Sequence, residues 1–457
     1  MPSVSVIADS QSLVDLGLLP DPVRGWPLGP WLDHTHAPLS RVALERLLAA
    51  PLASVEVIAS RQELLEQLAK VAPRIAFSDW ASLADRGQRF LASNFDIAPA
   101  ARAARLVYAT RYRAMVREML PQIHAVAQLL QVSGQVLQRI AALRDDGTFA
   151  TCVADIEAAV QDPVTEALQR AVTRDVGVEL LGFDHLLRDR ASPYRARVEA
   201  LIAAVWTVDA FCSLAVASAR SGGVLPSLVS SGGALTLRGL RHPLLPDGVA
   251  NDVCLEPGER VLFLTGPNMA GKSTVLRALG IAVHCAHLGM RVCADVAVVP
   301  RVDAVVASMV ERDNLARRES LYLAEVRRVK RIVQAVHDGA VLFAIFDEVF
   351  RGTNVHDASE ACALLVAGLA AVPEGRFVVA SHLAEVARRQ VEARAVSCQY
   401  LEASVHEGAP QFSYRLRPGV SDVHLGMLLL DAEGVGPMLR AMAKCGSYPC
   451  GTASRFV

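Results

Sequence analysis

The chain has 457 residues, of which 52% are hydrophobic and only 5% aromatic, and its 46 basic residues balance 47 acidic ones. This length suffices for two or three domains, and an Ala-, Val- and Leu-rich composition favours helices. The net charge of −1 excludes a global basic field that would pull the chain onto nucleic acid, so any DNA contact must rest on local patches or on a partner subunit.

The first half of the chain is predicted to be helical. Residues 1–31 are punctuated by Pro and Gly and predict an irregular segment, without the basic and apolar blocks of a signal peptide. Amphipathic runs separated by Pro follow, the longest from Pro99 to about Ala142 and from Ser192 to Ser218. Residues 32–220 therefore predict an all-α domain.

One of these runs carries a basic stretch with Tyr108 and Tyr112 interleaved. A basic helix with aromatic residues can lie along nucleic-acid phosphates. More commonly such a stretch is a solvated face whose Arg stems pack over apolar surface. Both interpretations stay open for Arg102, Arg105, Arg111, Arg113 and Arg117.

The composition changes near Ser221. Two Ser-Gly clusters, at 221–223 and 230–233, precede short β-type segments, and strand and helix patterns alternate from there on. This alternation predicts a doubly wound α/β domain over residues 221–442. Residues 443–457 are predicted to form a tail.

The stretch from Val261 to Gly280 predicts a nucleotide site. Four apolar residues of strand length precede G-x-x-x-x-G-K-S, and helix formers follow it. Such a loop turns successive backbone N–H groups inward, and the helix start adds the positive end of its dipole. We expect Lys272 to reach the outer phosphates and Ser273 to hold Mg²⁺. The residues predicted to bind nucleotide here are Gly266, Pro267, Asn268, Met269, Ala270, Gly271, Lys272, Ser273 and Thr274.

Acidic and imidazole side chains follow the ends of two further predicted strands. Seven apolar residues, 340–346, end at Asp347 and Glu348. Asp347 is predicted to hold Mg²⁺ through its water shell, and Glu348 to point at the attacking water as general base or polariser; the alternative is an acidic strand end that caps the next helix. His382 follows the predicted strand 376–380, and is either a structural histidine or one that reaches the γ-phosphate or the attacking water.

Together these motifs resemble those of the DNA mismatch-repair MutS family. The loop T-G-P-N-M-A-G-K-S-T is similar to that family's T-G-P-N-M-G-G-K-S-T, residues 347–357 resemble its Walker B strand end and following loop, and Ser381-His382 resembles its Ser-His or Thr-His switch. The resemblance implies an ATPase that uses ATP and Mg²⁺. It also implies an α/β P-loop NTPase domain, ABC-ATPase-like, behind an all-α core and lever domain.

Three more residues are implied by this resemblance alone. Ser320 lies in a stretch, 312–325, that resembles the family's signature loop and helix. It is implied to reach the ATP of the opposite subunit, which implies a homodimer with composite ATP sites. Asn251 lies in the segment that borders the base, and Tyr414 falls near a residue that contacts adenine; the family's stacking Phe falls near Gly248.

The likeness extends from Leu32 to about Met442. The roughly thirty preceding residues are too few for the family's mismatch-reading and connector domains. DNA is nevertheless an implied partner, gripped or released as ATP moves the lever helices. The alternative is an ATP-controlled dimeric scaffold that binds a protein partner and does not itself recognise mismatches. A transporter-type ABC ATPase is disfavoured because no LSGGQ-like signature occurs, and a P-loop kinase because no acceptor-binding or lid segment is evident.

The remaining signals concern the compartment. Nine scattered Cys without a C-x-x-C pair predict neither a zinc site nor a disulfide framework, and indicate a reducing cytoplasm. The apolar run Leu201 to Val216 is interrupted by Asp209 and is shorter than a bilayer requires. We therefore expect a cytoplasmic protein with no membrane partner.

Overall fold

A computed structural model describes residues 10–94, 96–99, 101–143, 147–174, 177–267, 269–309, 321–390, 394–406, 409–421, 430–431 and 433–444. The chain divides into two compact units. The first comprises Met1–Ser230 and Ile281–Val305, and the second Ser231–Gly280 and Val306–Val457. The division into residues 1–31, 32–220, 221–442 and 443–457 stays a prediction.

The helices and strands follow one another in two stretches. Up to residue 230 they are α1 (Ser10–Asp15), α2 (Gly29–Leu32), α3 (Pro38–Leu48), α4 (Val55–Val71), α5 (Phe77–Leu91), α6 (Arg102–Arg111), α7 (Arg113–Ile140), α8 (Thr148–Val160), α9 (Pro163–Arg174), α10 (Gly177–Arg188), α11 (Pro193–Arg220) and β1 (Ser227–Val229). Beyond it they are β2 (Leu235–Leu240), β3 (Asn251–Leu255), β4 (Val261–Thr265), α12 (Lys272–His287), β5 (Val296–Pro300), β6 (Ala304–Ser308), α13 (Leu321–His337), β7 (Leu342–Asp347), α14 (Val355–Ala370), β8 (Arg376–Ala380), α15 (Ala384–Gln390), β9 (Val396–His406), β10 (Ala409–Pro418) and α16 (Val435–Lys444).

Helix α11 is the core of the first unit. Pro193 opens it, and the Ser192 side chain accepts a hydrogen bond from the backbone N–H of Arg195, a regular N-cap. Helices α3, α4, α5 and α8 pack against it, and the rings of Phe149 and Phe211 meet edge-on at 5.3 Å. Apolar burial against these neighbours is what stabilises the helix.

By length and composition, α11 is the one helix among the described residues that qualifies as a membrane span, and 72% of its apolar window is buried inside the structure. The helix has 28 residues, more than the run weighed from the sequence. The argument that it is too short to cross a bilayer was therefore wrong for the whole helix. Packing inside the helical unit accounts for its apolar composition instead.

The long run predicted from Pro99 to Ala142 is two helices. Tyr112 separates α6 from α7 with φ −114° and ψ 42°. Next to this break the buried Tyr108 donates a hydrogen bond to the carbonyl of Asp96 and its ring lies 4.9 Å from that of Tyr112. Most arginines of the basic stretch are exposed; only Arg105 is half-buried.

A mixed six-stranded sheet organises the second unit, in the order β10-β9-β4-β8-β7-β6. Strand β4 is parallel to β8 and β9, and β7 is parallel to β8. Each residue of β4 and β8 is buried, as continuous apolar runs in parallel sheets are. The carboxyl ends of β4, β7 and β8 consequently meet at one edge, where the predicted site residues follow them. This is the α/β architecture predicted for the second half of the chain.

Candidate nucleotide site

Residues 266–273, which comprise the connection after β4 and the first two residues of α12, are called the glycine loop here. Gly266, Met269 and Gly271 have φ values of 145°, 71° and 97°. The positive φ at Gly271 favours glycine, and a Cβ there would lie 3.3 Å from the ring of Tyr414, a tight contact. Helix α12 begins directly at Lys272, which gives the loop the positive end of a helix dipole.

Lys272 is buried, with 5% of its surface exposed. Its Nζ donates to the carbonyl oxygens of Gly266 at 2.8 Å and Pro267 at 3.3 Å, and lies 3.7 Å from Oε1 of Glu348. Burial lowers the pKa of the Lys272 ammonium, and the carboxylates of Glu348 and Asp347 partly oppose that shift. Two neutral carbonyls are weaker partners for an ammonium than anionic phosphate oxygens, which would displace them.

Ser273 and Asp347, the two predicted metal ligands, lie side by side. The Ser273 hydroxyl donates to Oδ2 of Asp347 at 2.7 Å. Burial raises the pKa of Asp347; the Ser273 hydrogen bond opposes that shift and Glu348 adds to it. The described residues hold no cluster of three or more His, Cys, Asp or Glu side chains that would bind a metal alone. Mg²⁺ needs no such cluster, because it retains waters and takes substrate phosphates as ligands beside one or two protein oxygens.

The other two predicted catalytic side chains also follow strand ends. Glu348 has φ 50°, and its backbone N–H donates to the carbonyl of Ala380 at 2.9 Å, which ties it to the end of β8. His382 lies two residues beyond β8, with its side chain exposed. Contacts thus join Lys272, Ser273, Asp347 and Glu348, while His382 stands at the neighbouring strand end.

Asn251 and Tyr414, both implied to lie near the base, are linked to each other. The Asn251 amide donates to the carbonyl of Tyr414 at 3.0 Å and accepts from the N–H of Leu416 at 2.7 Å. These bonds span an irregularity in β10 between Phe412 and Leu416, where Tyr414 adopts φ 55°. Asn251 therefore fixes the backbone that carries the Tyr414 ring to the glycine loop.

The remaining predicted residues complete the loop. Ala270 is fully buried and Met269 is 71% exposed, while Thr274 is exposed on the first turn of α12. Pro267 contributes its carbonyl oxygen, which also accepts from the N–H of Ala270 at 3.4 Å. Asn268 and Ser320 lie outside the described residues.

Arg351 and Glu325 carry no role in the sequence-based prediction, yet the structure pairs them. Nε of Arg351 lies 3.6 Å from Oε1 of Glu325. Both residues lie in stretches that resemble family motifs, Arg351 in 347–357 and Glu325 in 312–325. Strand and helix patterns alone give neither residue a role.

A family model, MutS domain V, matches residues 262–444, a stretch that includes each predicted site residue except Asn251. Similar curated proteins include three that are named DNA mismatch repair protein MutS. That of Salinibacter ruber is 32% identical over 247 residues, 52% of this chain and 27% of the relative. For Sorangium cellulosum the values are 29% over 301 residues, 64% and 32%, and for Listeria monocytogenes 27% over 248 residues, 53% and 28%. The chain thus spans between a quarter and a third of the length of these relatives.

Proposed function

Since this chain belongs to the MutS family through its domain V at residues 262–444, we propose that it binds ATP with Mg²⁺ and hydrolyses ATP to ADP and phosphate. The fold of the second unit is then that of a P-loop NTPase. One observation carries the proposal: Lys272 Nζ lies 3.7 Å from the Glu348 carboxylate, and Ser273 donates to Asp347 at 2.7 Å. A glycine loop with its ammonium at the end of β4 and two acids at the end of β7, on the same edge of the sheet, are the parts that phosphoryl transfer to water requires.

Each part has a separate role in this proposal. Backbone N–H groups of residues 268–273 hold the phosphates, and Lys272 neutralises charge on the β- and γ-phosphates. Ser273 and Asp347 hold Mg²⁺, which, when bound, offsets negative charge on the phosphate oxygens.

Hydrolysis itself needs a base and a γ-phosphate contact. Glu348 leaves Lys272 and accepts a hydrogen bond from the water whose oxygen attacks the γ-phosphorus. The bond from that phosphorus to the ADP oxygen breaks, and a proton is released. His382 senses the γ-phosphate.

For partners we propose a homodimer in which Ser320 of each subunit reaches the ATP of the other, and DNA as the molecule on which the dimer acts in the cytoplasm. The part of this proposal that concerns DNA is supported by the names of the relatives, DNA mismatch repair protein MutS. The net charge of −1 favours the second candidate, an ATP-controlled dimeric scaffold for a protein partner, because it supplies no general attraction to DNA.

The first test is Lys272→Ala, with Lys70→Ala, an exposed lysine in the first unit, as the matched control. We expect Lys272→Ala to lose ATP binding or turnover at least about 100-fold, since charge-assisted contacts to phosphate are among the strongest polar contacts. Fluorescent ATP-analogue titration and phosphate release measure the two effects. Turnover equal to that of Lys70→Ala and wild type would refute the proposed site.

A further inference from the structure

Residues 348–352, called the Glu348 loop here, hold an unusual backbone conformation. Glu348 and Phe350 have φ values of 50° and 65°. The left-handed region is sparsely populated by non-glycine residues and persists only where surrounding structure holds it. The orientation of the Glu348 carboxylate therefore depends on whatever restrains this loop.

Helix α13 restrains the loop by three contacts. The ring of Phe350 meets that of Tyr322 edge-on at 6.5 Å. A Cβ at Gly352 would lie within 2.9 to 3.0 Å of Tyr322 Cβ, Cα and N, so the loop backbone packs directly against the first turn of α13. Arg351 lies 3.6 Å from the Glu325 carboxylate, of which 5% is exposed.

The helix is itself fixed to the sheet. Arg328, which is 3% exposed, donates from Nη2 to the carbonyl of Ala307 in β6 at 2.7 Å. Because this buried bond holds α13 to the sheet edge, the helix does not simply follow the loop.

We propose that Arg351 and Glu325 are positioning residues for Glu348. Their ion pair holds the Glu348 loop on α13 and so aims the Glu348 carboxylate at the attacking water. This inference rests on the proposed ATP hydrolysis. The Glu325 carboxylate is buried, whereas the Arg351 side chain is 46% exposed. Arg351→Gln takes a positive charge away from a buried carboxylate, and Glu325→Gln frees Arg351 to turn toward solvent; either change favours rearrangement of the loop. Neither Arg351 nor Glu325 lies in the glycine loop, which is proposed to bind the phosphates. Loss of the pair should therefore lower kcat and leave the Kd for ATP unchanged.

The experiment compares Glu325→Gln, Arg351→Gln and the double variant in the full chain. Phosphate release gives kcat and KM, and a non-hydrolysable ATP analogue gives Kd. We expect kcat to fall by about 10- to 100-fold, since misplacing a catalytic group by about 1 Å costs that much. KM and Kd should stay within about threefold of wild type. The double variant should be no slower than the slower single variant, because the two side chains act as one unit. Glu348→Gln sets the lowest expected rate.

Two controls separate positioning from general damage. Glu360→Gln removes an exposed Arg–Glu pair of the same unit, Arg389 to Glu360 at 2.8 Å, and should leave kcat unchanged. Should the charge variants fail to fold, Gly352→Ala displaces the loop by size alone. Its matched control is Gly368→Ala on α14, where a Cβ meets nothing within 4 Å.

The outcomes are distinct. If wild type hydrolyses ATP and the three pair variants keep its kcat, or if Kd rises as much as kcat falls, this inference is wrong while the proposed function stands. If wild type binds the analogue but hydrolyses no ATP, the proposed function fails and the inference fails with it. Loss of kcat at constant Kd supports both.

Discussion

At the scale of single residues, the charge that the proposed chemistry needs on Asp347 opposes the stability of the fold. Asp347 is predicted to be an ionised metal ligand, yet burial raises the pKa of its carboxyl group, with Glu348 nearby as a further cause. A carboxyl group whose folded-state pKa exceeds its unfolded value destabilises the fold above the folded pKa and contributes nothing below the unfolded one. A charge on Asp347, which the proposed metal binding requires, is therefore one that folding alone does not favour.

Asp347→Asn should therefore raise the melting temperature of the nucleotide-free protein at pH 7 to 8. The amide oxygen of Asn still accepts the Ser273 hydroxyl, and the buried charge is gone. The gain should shrink as the pH falls toward about 4, where Asp347 takes up a proton in the unfolded chain too. Thermal melts between pH 4 and 8 measure the difference from wild type.

Asp247→Asn, an exposed position in the same unit, is the control and should show no such pH-dependent gain. The Asp347 variant should also lose the Mg²⁺ dependence of ATP binding. If Asp347→Asn melts at the same temperature as wild type at pH 7, or lower, the buried Asp347 carboxylate does not destabilise the fold.

The proximity of these residues in the structure has a local origin in the sequence. Lys272 and Ser273 share one loop, Asp347 and Glu348 end one strand, and parallel pairing of β4, β8 and β7 brings these ends together. The left-handed backbone at Glu348 was not predicted from the sequence. That conformation is set by tertiary contacts that no local pattern encodes.

At the scale of elements, apolar periodicity located most helices and strands but not their interruptions. The predicted run from Ser192 to Ser218 corresponds to α11, Pro193–Arg220. The break at Tyr112 and the irregularity in β10 went unpredicted. The latter is held by Asn251, more than 160 residues away in sequence, and a side-chain clamp over that distance leaves no periodic signal.

This clamp predicts a separable effect of Asn251→Ala. The change removes the acceptor for the Leu416 N–H and the donor to the Tyr414 carbonyl, which costs about 1–3 kcal/mol of unfolding free energy for a buried group left unpaired. Because the Tyr414 ring would then shift from the glycine loop, ATP should bind more weakly while inorganic tripolyphosphate, which has no base, binds as before. Denaturant unfolding and competition titrations measure the two quantities.

Asn354→Ala, which removes the N-cap of α14, controls for a general loss of stability. If Asn251→Ala weakens tripolyphosphate as much as ATP, the clamp serves the whole loop and not the base side of the site. If the unfolding free energy of Asn251→Ala equals that of wild type, the Asn251 hydrogen bonds do not stabilise this part of the fold.

At the scale of the whole molecule, charge decides between the two proposed kinds of partner. The total of −1 gives no long-range attraction to DNA, so affinity must come from a local surface. The exposed arginines of α6 and α7 form the one such stretch singled out from the sequence: Arg102, Arg111, Arg113 and Arg117. Their exposure fits both interpretations, phosphate contact and solvated face, and their salt dependence separates them.

If DNA is the partner, the affinity for duplex, mismatched or branched DNA should fall linearly with the logarithm of salt concentration, with a slope of about −0.9 for each phosphate neutralised. Replacing Arg111 and Arg117 together by Gln should make that slope shallower by about two units, as each lost phosphate contact removes about one. The matched control replaces Arg46 and Arg74, exposed arginines elsewhere in the first unit. If replacing Arg111 and Arg117 leaves the slope unchanged, these arginines form a solvated face and do not contact DNA phosphates. The opposite result is that no DNA binds at low salt, with or without ATP, while ATP still drives dimerisation in sedimentation. The scaffold is then the correct function, because the dimer forms without contact to DNA phosphates.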